Sequence, residues 1–91
     1  MSVADIMREK LNAAFAPAHL VVEDESVKHH GHAGARPEGE THFRVAIVSA
    51  AFAGLSRVDR QRRVYAVLAD ELQERVHALS LTVQTPDELN R

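Results

Sequence analysis

The sequence predicts an α+β domain of two layers, in which helices cover one face of a three-stranded mixed sheet. Apolar residues recur at helical spacing in residues 3–15 and 64–76, which indicates two amphipathic helices. They alternate with polar residues in residues 41–49 and 79–83, and residues 19–26 are rich in β-branched side chains, which indicates three strands. The predicted order is a helix, two strands, a long helix and a third strand.

The first helix has clear signals at both ends. Ser2 is a candidate N-cap, because its hydroxyl can accept a hydrogen bond from an amide of the first turn. Pro17 ends the helix because proline has no amide hydrogen and disfavours helical geometry at Ala16. The first strand can begin directly afterwards.

Residues 27–40 connect the first two strands. This segment contains three glycines and a proline, and it is longer than a hairpin needs. Long loops in compact domains are often functional, so we interpret it as a candidate functional loop. In the strand that follows, Phe43, Val45 and Ile47 fall on one face and predict the side that packs on the core.

The second half of the chain begins with a capping signal. Ser56, with an acid three residues later, resembles a capping box, and helical periodicity continues from there to Val76. A helix that returns the chain to the same sheet is a crossover connection, so the third strand should lie parallel to the second. Thr85, Pro86 and Glu88 predict a final helical turn.

Composition and charge limit the classes of function. The 91 residues are 45% hydrophobic and 26% charged, which is typical of a globular protein, and we expect a single domain over residues 1–91. No apolar run approaches the roughly 20 residues of a membrane span, and the N-terminus lacks the apolar segment of a secretory signal. We therefore expect a cytoplasmic protein without a membrane partner. The net charge of −2 gives no general attraction to nucleic acid.

Signatures of catalysis are missing from the sequence. There is no cysteine, no phosphate-binding glycine loop and no nucleophile elbow, so we expect that the protein is not an enzyme. The acids from Glu23 to Glu25 are consecutive on a predicted strand, which alternates faces and does not pair carboxylates. The lack of cysteine also excludes a thiolate metal site supplied by this chain alone.

Histidines are the candidate metal ligands. The loop carries His29, His30 and His32, and His77 lies where the long helix meets the third strand. Imidazole is a good ligand for iron, zinc and copper, but a histidine at a helix C-terminus can instead cap the last carbonyls, and both interpretations of His77 stay open. The loop histidines are too close together to form a rigid helical pair. A metal site would therefore need a distant ligand and donors from a second molecule.

Arginines cluster at the start of the long helix, where they could meet phosphates: Arg57, Arg60, Arg62 and Arg63. The alternative interpretation is a solvated helix face, because these residues spread around the helix and nearby aspartates dilute their charge. The few aromatic residues fall mostly on apolar faces and offer no platform for stacking bases.

Short motifs from Asp24 to Leu89 resemble those of the BolA family. In chain order they are DES at 24–26, GETHFRV at 39–45, VS at 48–49, F-x-G-L-S at 52–56, R-x-R-R-V-Y at 60–65, L-A-x-E-L at 68–72 and VHALSL at 76–81. The resemblance implies the αββααβ KH-like fold of that family, with its extra short helix at residues 50–54.

The resemblance also implies a function and a cofactor. BolA-like proteins pair with glutathione-bound monothiol glutaredoxins and share a [2Fe-2S] cluster, to which the BolA-like partner contributes histidine. By this resemblance His77 is one ligand, and the loop ligand falls among His29, His30 and His32. Counting forward from Ser26 favours His29, and counting back from the second strand favours His32. The role would be in iron–sulfur cluster assembly, trafficking or iron-responsive regulation, with no cofactor on the isolated chain.

A second role that the resemblance implies is that of a DNA-binding transcriptional regulator. Its candidate contacts are the four arginines of the long helix. The net charge predicts that such contact is weak and sensitive to salt. Whether the isolated chain forms a homodimer stays open.

Overall fold

The structure is a computed structural model that describes residues 2–25 and 42–89. Its elements, in chain order, are α1 (Val3–Phe15), β1 (His19–Asp24), β2 (His42–Val48), a 3₁₀ turn (Ala50–Phe52), α2 (Arg57–Val67), α3 (Ala69–Glu74), β3 (Ala78–Gln84) and α4 (Pro86–Leu89). The predicted αββααβ order is confirmed, including the short turn after β2 and the final helical turn.

The three strands form one mixed sheet in the order β1-β2-β3. β1 and β2 are antiparallel, with Val22 opposite Val45. β2 and β3 are parallel, with Val45 opposite Leu81, so the predicted crossover through the helices is confirmed. As a result β2 is the central strand, and β1 and β3 each have one edge with no neighbouring strand among the described residues.

The core lies between the sheet and the helices. Phe43, Val45 and Ile47 are almost fully buried, as their alternation predicts. They pack with Met7 and Leu11 of α1 and with other apolar side chains from every layer. The opposite face of the sheet carries mainly small and polar residues, together with Val21 and Val48, and is not covered by a helix that the structure describes.

Side-chain hydrogen bonds fix both ends of α1. Ser2 accepts from the amide of Asp5, and the Asp5 carboxylate accepts from the amide of Ser2, which completes a capping box. After the helix, Ala16 adopts a left-handed conformation with φ of 43°. The buried hydroxyl of Ser49 then donates to the carbonyl of Phe15 at 2.6 Å, which joins the end of α1 to the end of β2.

The long helix predicted after Ser56 is two helices. α2 and α3 meet at Leu68, whose backbone is not helical (φ −99°, ψ 16°) and whose side chain is fully buried. No proline or glycine marks this break, and the apolar periodicity continues through it, so the sequence pattern gives no signal for it. The prediction of one continuous helix is therefore wrong at this residue.

An ion pair joins α3 to α1. The Lys10 ammonium lies 3.0 and 2.9 Å from the two carboxylate oxygens of Glu71. The hydrogen bond to Glu71 raises the pKa of Lys10. This contact holds the segment that leads into β3. No helix in the described part of the chain is long and apolar enough to cross a membrane.

Candidate functional site

One end of the sheet gathers the residues that flank the predicted histidine loop. The amide of Glu25 donates to the carbonyl of His42 at 2.7 Å, so the segment between them starts and ends at the same place. His42 lies opposite Ala78 in the parallel register of β2 and β3. His77 is the residue before Ala78. We call this region, defined by Glu25, His42 and His77, the histidine end of the sheet.

His77 has a fixed backbone and an exposed side chain. The preceding residue, Val76, is only 5% exposed, and its amide donates to the carbonyl of Glu71 at 2.8 Å. The following residue, Ala78, begins β3. The His77 side chain itself makes no hydrogen bond or ion pair with any residue that the structure describes. Within residues 2–25 and 42–89 it therefore does not cap the helix carbonyls, and none of these residues occupies its imidazole.

The loop histidines cannot be located in the same way. His29, His30 and His32 lie in residues 26–41, outside the described residues. Among the residues that are described, no group of three or more histidine, aspartate or glutamate side chains could hold a metal ion. A metal site that uses His77 would thus need donors from beyond this set.

His42 is at the histidine end although sequence reasoning did not single it out. Its strand alternation placed it on the face opposite Phe43, and the structure agrees that it is partly exposed. Its nearness to His77 follows from the register of β2 and β3, which no local pattern specifies. The available sequence signal for His42 was its place in the motif GETHFRV at 39–45, which begins at the end of the loop.

The four arginines of α2 do not act as one basic patch. Arg60 donates to both carboxylate oxygens of Glu88, at 2.5 and 3.1 Å, and to the carbonyl of Leu55. Arg62 lies 3.5 Å from the carboxylate of Asp59. Arg57 and Arg63 are exposed and form no ion pair with a residue in the described part of the chain. Two of the four predicted phosphate contacts are therefore already paired.

The contact between Arg60 and Glu88 fastens α4 to α2. Glu88 also closes a cap on α4, since it accepts from the amide of Thr85 at 2.8 Å and its own amide donates to the Thr85 hydroxyl at 3.3 Å. Hydrogen bonds from Arg60 and from the Thr85 amide lower the pKa of Glu88 to about 2. The carboxylate is thus charged in the folded protein at all but strongly acidic pH.

We expect Glu88→Gln to remove a pH-dependent part of the stability. Because the folded-state pKa of Glu88 is lowered from 4.5 to about 2, the stabilisation is fully present above pH 4.5 and is lost as the pH falls through about 2. The difference in free energy of unfolding between wild type and Glu88→Gln should shrink across this range, as measured by urea titration. The exposed Glu74 provides the control substitution, Glu74→Gln. A difference that does not change with pH would contradict this account of α4.

Comparison with known proteins agrees with this architecture. A family model for BolA-like proteins matches residues 11–88. The chain is 49% identical over 87 residues to "Protein BOLA1, chloroplastic" of Arabidopsis thaliana, covering 93% of this chain and 54% of that protein. It is 40% identical over 88 residues to the "DNA-binding transcriptional regulator BolA" of Haemophilus influenzae, covering 97% of this chain and 82% of that protein.

A solved structure gives the same result for the fold. The BolA domain of SufE1 from Arabidopsis thaliana superposes with a TM-score of 0.84 at 46% identity, covering 97% of this chain and 96% of that one. The chain spans about half the length of the chloroplastic relative. The family model covers most of this chain, and the fold and the motifs agree with it. The chain therefore belongs to the family of BolA-like proteins.

Proposed function

We propose that the protein shares a [2Fe-2S] cluster with a glutathione-bound monothiol glutaredoxin and that His77 is one of its ligands. One observation carries the proposal. The register of β2 and β3 brings His77 beside the point where the histidine loop joins the sheet. His77 and the loop histidines are 45 or more residues apart in sequence. The segments that carry them are nevertheless attached to the same end of one sheet.

The donor chemistry fits a shared cluster. The chain has six histidines and no cysteine, so it can offer imidazole but not thiolate. Iron–sulfur clusters are usually held by thiolates, which the glutaredoxin and its glutathione would supply. His77 is exposed and makes no bond within the described residues, so binding a cluster would not break a contact with any of them.

The loop supplies the second ligand in this proposal. His29, His30 and His32 are the candidates, and the loop leaves and rejoins the sheet at the histidine end. When bound, the cluster supplies a redox-active and transferable iron–sulfur centre, and histidine ligation at one iron raises its potential relative to thiolate ligation alone. The role is that of a cytoplasmic binding partner in cluster assembly, trafficking or iron-responsive regulation, not that of an enzyme.

DNA binding is the second candidate function. Two observations favour it: Arg57 and Arg63 are exposed without an ion pair among the described residues, and a bacterial relative bears the name of a DNA-binding regulator. Two arginines without an ion pair in the described part of a chain of net charge −2 support only weak contact, which salt would suppress. For this reason we rank it below the shared cluster.

Anaerobic cluster reconstitution tests the leading proposal. The protein is mixed with a monothiol glutaredoxin and glutathione, supplied with iron and sulfide, and followed by visible absorption and circular dichroism. We expect a heterodimer with a spectrum that differs from that of the glutaredoxin homodimer, while the chain alone stays colourless. If the mixture gives only the homodimer spectrum, the proposal fails. Retardation of duplex DNA at physiological salt would then favour the second candidate.

A further inference from the structure

Among the described residues, the two outer edges of the sheet are not equivalent. On β1, the guanidinium of Arg8 donates to the carbonyl of Val22 at 2.9 Å, so a side chain from α1 already occupies a group on that edge. On β3, no group in the described part of the chain bonds to the backbone of residues 78–83 except through the ladder with β2. Among the described residues, the outer edge of β3 is therefore the open one.

The register identifies which groups face outward from β3. The amide of Ser49 donates to the carbonyl of Gln84 at 3.0 Å. Because bonding direction alternates along a strand, the even-numbered residues of β3 bond to β2. The amides and carbonyls of Leu79, Leu81 and Val83 consequently point to the open edge. They form a row of donors and acceptors of the kind that an added strand would use.

The sequence of β3 does nothing to block such pairing. Proteins usually protect a free edge with a charged residue, a proline or a bulge. The strand reads ALSLTVQ and contains neither a charge nor a proline. Its outer edge is therefore chemically suited to pair with another extended chain.

A groove of about 490 Å³ runs between this edge and the start of α2. Its apolar lining includes Leu55, Leu81 and Val83, all of them partly exposed. Arg57 also lines it and has no ion pair among the described residues. Glu88 lies in the lining as well, but its carboxylate is bound to Arg60. The groove thus combines apolar and polar side chains with one positive charge that has no ion pair among the described residues.

We propose that the β3 edge and this groove bind an extended peptide segment of a partner protein. The segment adds a strand to β3 through the outward groups of Leu79, Leu81 and Val83. Apolar side chains of the segment enter the groove, and an acidic side chain pairs with Arg57. This site is separate from the proposed cluster site. His77 comes just before the first residue of β3, whereas the groove is lined by residues from the second half of β3.

Charge and composition favour a peptide over the other possible occupants. Nucleic acid would meet only one unpaired arginine, a carboxylate and no aromatic residue in the lining of the groove. A second copy of the chain, paired edge to edge through β3, would bring no acidic side chain from that strand to Arg57. An acidic peptide segment supplies both apolar side chains for the groove and a carboxylate for Arg57, so it fits the site better than either of them.

Selection from a displayed library of random dodecapeptides tests this proposal. The isolated wild-type protein serves as bait, and we expect the enriched peptides to combine alternating apolar residues with an aspartate or glutamate. A synthetic peptide of the enriched sequence is then titrated into isotopically labelled protein. Its binding should slow amide exchange at Leu79, Leu81 and Val83, since these amides gain a hydrogen bond.

Charge reversal at matched positions gives the control. Arg57→Glu should weaken peptide binding roughly tenfold, because the charge pair becomes a repulsion. This variant should fold, since an acid suits the first turn of a helix. Arg63→Glu changes the net charge equally on the same helix but lies outside the groove lining, so its affinity should match that of wild type. His77→Ala should also leave peptide binding unchanged, which separates this site from the cluster.

Three results would overturn the proposal. The first is a library that yields no enriched peptide. The second is enriched peptides that perturb the histidine end or the outer surface of α2 instead of β3. The third is protection of the β3 amides by an oligothymidylate of about twelve nucleotides with no peptide able to compete, which would make single-stranded nucleic acid the occupant.

Discussion

His77→Ala should abolish the spectrum of the heterodimer in the reconstitution with glutaredoxin and glutathione. The substitution removes an exposed imidazole at the histidine end that makes no bond with the described residues. The iron that it binds would then lack a donor, and the cluster would remain with the glutaredoxin homodimer. Visible circular dichroism of the mixture measures this loss directly.

The control for this variant is His19→Ala. His19 is also exposed, but it pairs with Val48 at the opposite end of the sheet, so its removal should leave the heterodimer spectrum intact. Both are surface substitutions, and their free energies of unfolding should stay within about 0.5 kcal/mol of wild type. A full heterodimer spectrum from His77→Ala would refute the assignment of this ligand. Alanine variants of His29, His30 and His32 would identify the loop ligand by the same measurement.

Phe52→Ala should lower the free energy of unfolding by about 3–5 kcal/mol. Phe52 is fully buried in the 3₁₀ turn after β2, and its ring centroid lies 4.7 Å from that of Phe15 in α1. Removing the ring leaves a cavity between these two elements. Since a domain of this kind is stable by only about 5–15 kcal/mol, a large part of its stability depends on this residue. Urea titration followed by far-ultraviolet circular dichroism measures the change.

A surface substitution on the next helix is the reference for this effect. Val58 is 53% exposed, so Val58→Ala should change the free energy of unfolding by no more than about 0.5 kcal/mol. If Phe52→Ala does not fold, Phe52→Leu preserves most of the volume and should show a smaller loss that can be measured. A loss below about 1 kcal/mol for the alanine variant would contradict the central position of this ring in the core.

Local signals account for the elements that the sequence predicted well. Ser2 and Pro17 delimit α1, and its observed bounds agree with the predicted residues 3–15. β1 and β2 end one or two residues earlier than predicted, because alternation alone does not show where pairing stops. The core positions of β2 followed directly from its period of two.

Features that depend on distant parts of the chain were not predictable. The break at Leu68 has no sequence signal, since the buried leucine continues the apolar stripe. The pairing of Arg60 with Glu88 joins residues 28 positions apart, and it removes a predicted phosphate contact from the surface. The position of His77 near His42, the first described residue after the loop, also comes from strand register. Motif resemblance implies that His77 and a loop histidine act together, and the register places His77 at the end of the sheet where the loop is attached.

The most direct test of the central claim is to determine whether a nitrogen atom of this chain binds the iron. The reconstituted mixture would contain this protein labelled with ¹⁵N-histidine and an unlabelled glutaredoxin, and the reduced cluster would be examined by pulsed electron paramagnetic resonance. The account predicts a strong ¹⁵N coupling to the cluster, which His19→Ala leaves unchanged and His77→Ala removes. A cluster with no ¹⁵N coupling would mean that this chain contributes no histidine ligand, and the proposed function would be wrong.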